Sequence, residues 1–302
     1  STKEWKEEIV YLNPVATGSV KAVFPDGTEV EIPQGKDPRV VFADWLITPD
    51  NPWFARNIVN RIWSWLMGRG IIHEPDDIRD DNPPSNPELL AYLEKELVRS
   101  NYDLKHIYRL ILNSRTYQQS SIPRSTNPEA EKYFAYYPVR RIEAEVLLDM
   151  LCRIGGQGEE YVSPIPEPFT VIPRYHRNVL LFDGSITGPF LELFGRPSRD
   201  TGKESERSNQ ITDAQQRYLL NSSDIQRKIQ SSQQLRKIVS SSRGKHDELV
   251  KGIYLFLLSR YPTLKEIESA GEYFKIEGMQ RHHGVHDLAW VLINSKEFLY
   301  RH

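Results

Sequence analysis

The chain has 302 residues, enough for one large or two smaller cores, and its 39% hydrophobic and 26% charged fractions are those of an ordinary soluble domain. The 39 basic and 41 acidic side chains leave a formal charge of −2, so no whole-molecule field gathers nucleic acid or an anionic membrane. Cys152 is the single cysteine, which excludes an intrachain disulfide and a zinc site built from several thiolates.

In chain order, Ser1 to Val10 is polar and lacks the basic-then-apolar pattern of a signal peptide. No later apolar run reaches the roughly 18 residues that span a bilayer, so the chain is expected to be cytosolic or the mature part of something longer. Residues 1–35 are expected to be β-rich, with Val20–Phe24 and Thr28–Ile32 flanking the turn signal Pro25-Asp26-Gly27. From Asp37 the signals become helical. Asp37-Pro38, Asn51-Pro52 and Asn127-Pro128 place a capping side chain before a proline, and Ser85-Asn86-Pro87-Glu88 and Thr263-Leu264-Lys265-Glu266 have the order of a capping box.

Helices are expected near 38–47, 52–67, 87–100, 104–113, 139–152, 212–220, 224–239, 246–259, 264–275 and 286–293. In the second, Phe54, Ile58, Ile62, Trp65 and Leu66 form a stripe at helical spacing that ends at Gly68 and Gly70. Residues 156–210 carry too many prolines and glycines for long helices, and their aromatic and aliphatic side chains imply an ordered wrap. The expected fold is mainly α. Helical bundle-like lobes at about 36–155 and 211–302 are joined by the long ordered loop region 156–210, behind a small N-terminal β-hairpin.

Several motifs then occur in a fixed order. Asn51-Pro52-Trp53-Phe54-Ala55-Arg56 leads into Val59-Asn60-Arg61-Ile62-Trp63, followed by Asp76-Asp77 and Leu112-Asn113-Ser114-Arg115-Thr116-Tyr117. Arg140-Arg141-Ile142-Glu143-Ala144-Glu145, Phe194-Gly195-Arg196-Pro197, Glu206-Arg207 and Leu258-Ser259-Arg260-Tyr261-Pro262 complete the set. Over roughly residues 37–302 this order resembles the planctomycete-type, cytochrome-associated domain of unknown function 1553. The resemblance implies the C-terminal part of a larger exported protein, periplasmic or on the cell surface, with upstream domains of the same polypeptide as partners and residues 1–35 as a remnant of the junction. It brings no catalytic residues. Some relatives carry a cysteine pair just before the Glu-Arg motif. Lys203 and Ser205 stand there in this chain, so a thiol role is lost at that loop, and no Cys-x-x-Cys-His run attaches a haem.

The candidate chemistry is a polar set on helices. Arg56 and Asn60 share a face with Arg61 beside it, and Arg141, Glu145 and Asp149 recur at intervals of four. Read as an enzyme, the set offers Asp76, Asp77, Glu143 or Glu145 as general acid and base. Arg61 and Arg141 would hold an anionic or hydroxyl-rich substrate such as an anionic glycan, with Arg140 and the Glu206-Arg207 pair as further binding candidates. Read as scaffold, the same arginines neutralise the same carboxylates inside the fold, and Arg61 and Arg141 each bond at least one of Asp76, Asp77, Glu145 or Asp149. Hard-metal binding by the acidic loop 73–81, zinc at His282-His283-Gly284-Val285-His286 and an anion cradle at Asp183–Gly188 all lack a complete signature, so no cofactor or metal is expected. Trp53, Trp63 and Trp65 suit a core or, with less support, a sugar-stacking surface.

The leading expectation is a non-catalytic structural or interaction module linked to polysaccharide use. A hydrolase or lyase on an anionic glycan is the alternative from the residues, and an electron-transfer partner of a cytochrome domain the alternative from the resemblance.

Overall fold

The computed structural model describes residues 19–51, 53–161, 172–181, 186–196, 207–208 and 210–301. The readings at Ser1–Val10, Pro52, Asp183–Ser185, Lys203, Ser205 and Glu206, and part of the 156–210 wrap, lie outside these residues. Thirteen α-helices and two two-stranded sheets are found among them, so the chain is mainly α. It divides into two compact units, 1–137 and 138–302.

In the first unit, β1 (Val20–Val23) pairs antiparallel with β2 (Glu29–Ile32), Val20 opposite Ile32. Asp26 accepts from the Thr28 amide at 2.8 Å and closes the predicted turn. α1 (Pro38–Leu46) starts where Asp37 accepts from the Arg39 amide and Pro38 supplies a pre-set φ. Its Trp45 stacks on Phe24, ring centroids 4.6 Å apart.

α2 (Phe54–Met67) is entered through Asn51, whose side chain accepts from the Trp53 and Phe54 amides. It buries Ala55, Val59, Ile62, Trp63 and Met67. Of the expected apolar stripe, Ile62 is buried and Ile58 and Leu66 pack against the same core, whereas Trp65 is 40% exposed. Ala55 faces inward, and the Trp63 ring meets Phe134 edge-on at 5.1 Å. Gly68, at φ +80°, ends the helix.

α3 (Pro87–Arg99) is capped by Asn86 on the Leu89 amide, without the reciprocal box expected from Ser85, which bonds the Ile71 carbonyl instead. α4 (Leu104–Leu112) starts from Asp103. Leu90, Leu93, Leu97, Ile107 and Ile111 complete one continuous core with α2.

In the second unit, β3 (Arg140–Arg141) pairs antiparallel with β4 (Tyr300–Arg301). α5 (Ala144–Gly155) follows, so the helix expected from 139 begins five residues later: its first residues are taken by the strand pair. Leu147, Leu148, Leu151 and Ile154 of α5 lie at the centre of a second core. Around them stand α6 (Pro189–Leu193), α7 (Asp213–Asn221), α8 (Ser223–Ser231), α9 (Gln233–Ser241), α10 (His246–Leu258), α11 (Leu264–Tyr273), α12 (Arg281–Ile293) and α13 (Lys296–Leu299). The single helix expected over 224–239 breaks at Ser232, which is fully buried and accepts from the Leu235 amide as a new N-cap. The capping box expected at Thr263/Glu266 is present, with both reciprocal bonds.

Candidate functional site

The motif residues of the second unit fold into one polar knot at the start of α5. Gly195 stands at φ +90°, a conformation that disfavours a side chain. A β-carbon there would lie 1.9 Å from the Ser208 carbonyl oxygen. This bare position lets the backbones around 195 and 208 meet, and the Ser208 amide donates to the Gly195 carbonyl at 3.1 Å. Arg141 reaches into the junction. Its Nη2 donates to the Phe194 carbonyl at 2.6 Å and the Ser208 carbonyl at 2.9 Å, and its guanidinium covers the Phe194 ring at 5.3 Å.

Arg141 is 7% exposed, and its Nε and Nη1 are buried without an acceptor among the described residues. Burial pushes its guanidinium below the usual arginine range. The expectation that Arg141 bonds a carboxylate is thus corrected: its partners are backbone carbonyls. It stands on β3 rather than on the helix that carries Glu145.

Glu145, in the first turn of α5, is 7% exposed. It accepts from Arg207 at 2.8 and 3.0 Å and lies 3.4 Å from Arg196 Nε. Arg196 in turn donates to the Ile186 carbonyl at 3.1 Å. Burial alone would raise the Glu145 carboxyl, but the Arg207 bonds and the nearby charges outweigh it and hold the group below its ordinary value. A depressed carboxyl remains ionised near neutral pH, the opposite of the raised acid that donates a proton in general acid catalysis. Arg196 was not among the expected site residues, although it stands in the Phe-Gly-Arg-Pro motif.

The other carboxylates of the set are also committed. Asp149 accepts from the Asn178 amide at 2.7 Å, from the Asn178 side chain at 2.8 Å and from the Val179 amide at 3.3 Å, and so caps the 3₁₀ turn Asn178–Leu180. Glu143, the N-cap position of α5, pairs with Arg301 at 3.3 Å. Behind them Cys152 donates to Glu159 at 3.6 Å, and Lys228 binds Glu159 at 2.8 Å. Burial pushes the Cys152 thiol up to about 12.

Arg56, Asn60, Arg61, Asp76 and Asp77 belong to the first unit. Arg61 pairs with Asp76, as expected. Asn60 is fully buried: its Nδ2 donates to the Ile72 carbonyl at 3.0 Å, and its Oδ1 accepts from the Ile72 amide at 2.9 Å. The side chain thus acts as a length of backbone, pinning the loop after α2. Arg56 ties α2 to Glu94 of α3 at 2.9 Å. Asp77 is 44% exposed and paired with Arg79 at 2.7 Å. Glu206 lies outside the described residues. The structure therefore places the single constellation read from the sequence in two sets, one in each unit.

Among the described residues no group of three or more His, Cys, Asp or Glu side chains is arranged to hold a metal ion. No helix among them is long and apolar enough to cross a membrane. A family model described as PSD1, protein of unknown function (DUF1553), matches residues 38–274. No curated protein and no solved structure matches.

Proposed function

The chain belongs to the PSD1 (DUF1553) family, which supplies no activity, and from its own side chains we propose that it is a non-catalytic structural and interaction module of a larger exported bacterial protein. In this reading the protein is of the planctomycete type and the module serves polysaccharide uptake or breakdown. One observation carries it: Glu145, the best-placed candidate acid, is sealed and held ionised between Arg196 and Arg207. A buried carboxylate paired in this way fixes three chain segments and offers nothing to a substrate.

The test is Glu145→Gln. As scaffold, the change leaves Arg196 and Arg207 short of a counter-charge and costs roughly 3 kcal/mol, a fall in melting temperature of roughly 6–12 °C. Polygalacturonate, an anionic glycan, should show no bond cleavage with the wild-type chain. Cleavage that disappears in Glu145→Gln while the melting temperature holds would transfer the site to a glycan hydrolase or lyase.

A further inference from the structure

A large cavity that shares no residue with the polar knot lies between α8, α9, the segment after α11 and the start of α12. Its volume is about 1080 Å³, just above the range of roughly 300–1,000 Å³ for small-molecule sites. The floor is aliphatic: Ile229, Leu235 and Val285 are each at most 5% exposed, with Val239 and Ile276 beside them.

The polar groups converge from two sides. Arg236 of α9 donates to the Gln230 carbonyl at 3.0 Å and meets no carboxylate among the described residues. The first two turns of α12 bring His282, His283 and His286 to the same cavity. Gln280 makes no side-chain cap there, and no acid stands in the first turn, so the leading amides keep their donors open. Two acids also line the cavity. Asp287 accepts the Tyr273 hydroxyl at 2.7 Å and lies 3.6 Å from His286 Nδ1, so it is already engaged. Glu277 is exposed.

We propose that this cavity binds an amphipathic carboxylate, a molecule with an apolar body and a single acid group, its carboxylate on Arg236 and the open end of α12. The apolar floor fixes the body of the ligand. A guanidinium with no carboxylate partner among the described residues, lining the same cavity as the α12 imidazoles, selects the sign of its head group. The site shares no residue with the polar knot, so it stands whether or not that knot is scaffold.

Octanoate, octanol and octylamine are unbranched eight-carbon chains that differ in head-group charge, and calorimetric titration of the whole chain separates them. Octanoate is expected to bind at least fivefold more tightly than octanol, with octylamine weakest. Arg236→Met, on an exposed position, should cut octanoate affinity about tenfold and leave octanol unchanged, while Glu277→Gln should raise octanoate affinity about twofold. Equal binding of octanoate and octanol by the wild-type chain would overturn the proposal. So would preference for octylamine, no binding of any of the three, or Arg236→Met retaining full octanoate affinity.

Discussion

At Gly195 a single missing side chain decides whether the polar knot forms. Gly195→Ala would force a β-carbon to within 1.9 Å of the Ser208 carbonyl at a φ of +90°, so the two segments must part and Arg141 loses its carbonyl partners. The expected cost is about 3 kcal/mol, read as a shift of the denaturation midpoint with an unchanged slope. A variant as stable as the wild type would mean the junction is not closed in solution. Cys152 gives a second residue-scale expectation. With its thiol buried and pushed up to about 12, almost no thiolate exists at pH 8. A thiol reagent should therefore modify it only after denaturant is added, and rapid labelling of the native chain would show the α5 face to be open. At this scale the sequence was partly legible. Paired arginines and acids at motif positions put Asp76 among four carboxylates expected to hold Arg61 or Arg141, but named neither Arg207 nor Arg196 as the partner of Glu145. It could not show that Arg141 leaves the helix, because the strand that recruits it, Tyr300–Arg301, lies about 160 residues away in the chain.

Helix boundaries follow the same division between local and distant causes. Caps at Asp37 and Thr263 act over two or three residues and were read from spacing, whereas Asn86 takes the cap expected of Ser85 and the cap at Asp103 was not read. The break at Ser232 was not, since serine is tolerated within helices and its role as a cap depends on burial against other elements. Arg260 carries the most testable of the element-scale contacts. It grips Glu266 of α11 at 2.8 and 2.9 Å and Glu297 of α13 at 2.5 and 2.7 Å, tying the end of α10 to the starts of two other helices. The Arg260 hydrogen bonds, with those of Thr263, lower the Glu266 carboxyl to about 2. A carboxyl depressed in the folded state stabilises the fold above its unfolded value and loses that contribution as pH falls through the folded one. Glu266 should therefore contribute fully above about pH 5 and lose its contribution between there and pH 2. Glu266→Gln should lower the melting temperature near neutrality and flatten its pH dependence over that window. Parallel pH profiles for variant and wild type would show that the clamp is not made.

Each compact unit has its own core. Every member of the α2–α4 cluster lies between Ala55 and Tyr137, and every member of the α5-centred cluster between Ala144 and Phe298. A core that is complete within one stretch of chain does not need the other stretch to bury its apolar face. The polar sets obey the same boundary: Arg61–Asp76 and Asn60–Ile72 close within the first unit, and Glu145–Arg196–Arg207 and Asp149–Asn178 within the second. Separately expressed chains 1–137 and 138–302 should accordingly each give a helical circular dichroism spectrum and a cooperative melt. Glu145→Gln should lower the melting temperature of the second and have no counterpart in the first. If chain 138–302 proves unfolded alone yet folds when chain 1–137 is added, its polar knot is not self-sufficient, and the scaffold it provides would have to be assigned to the pair of units.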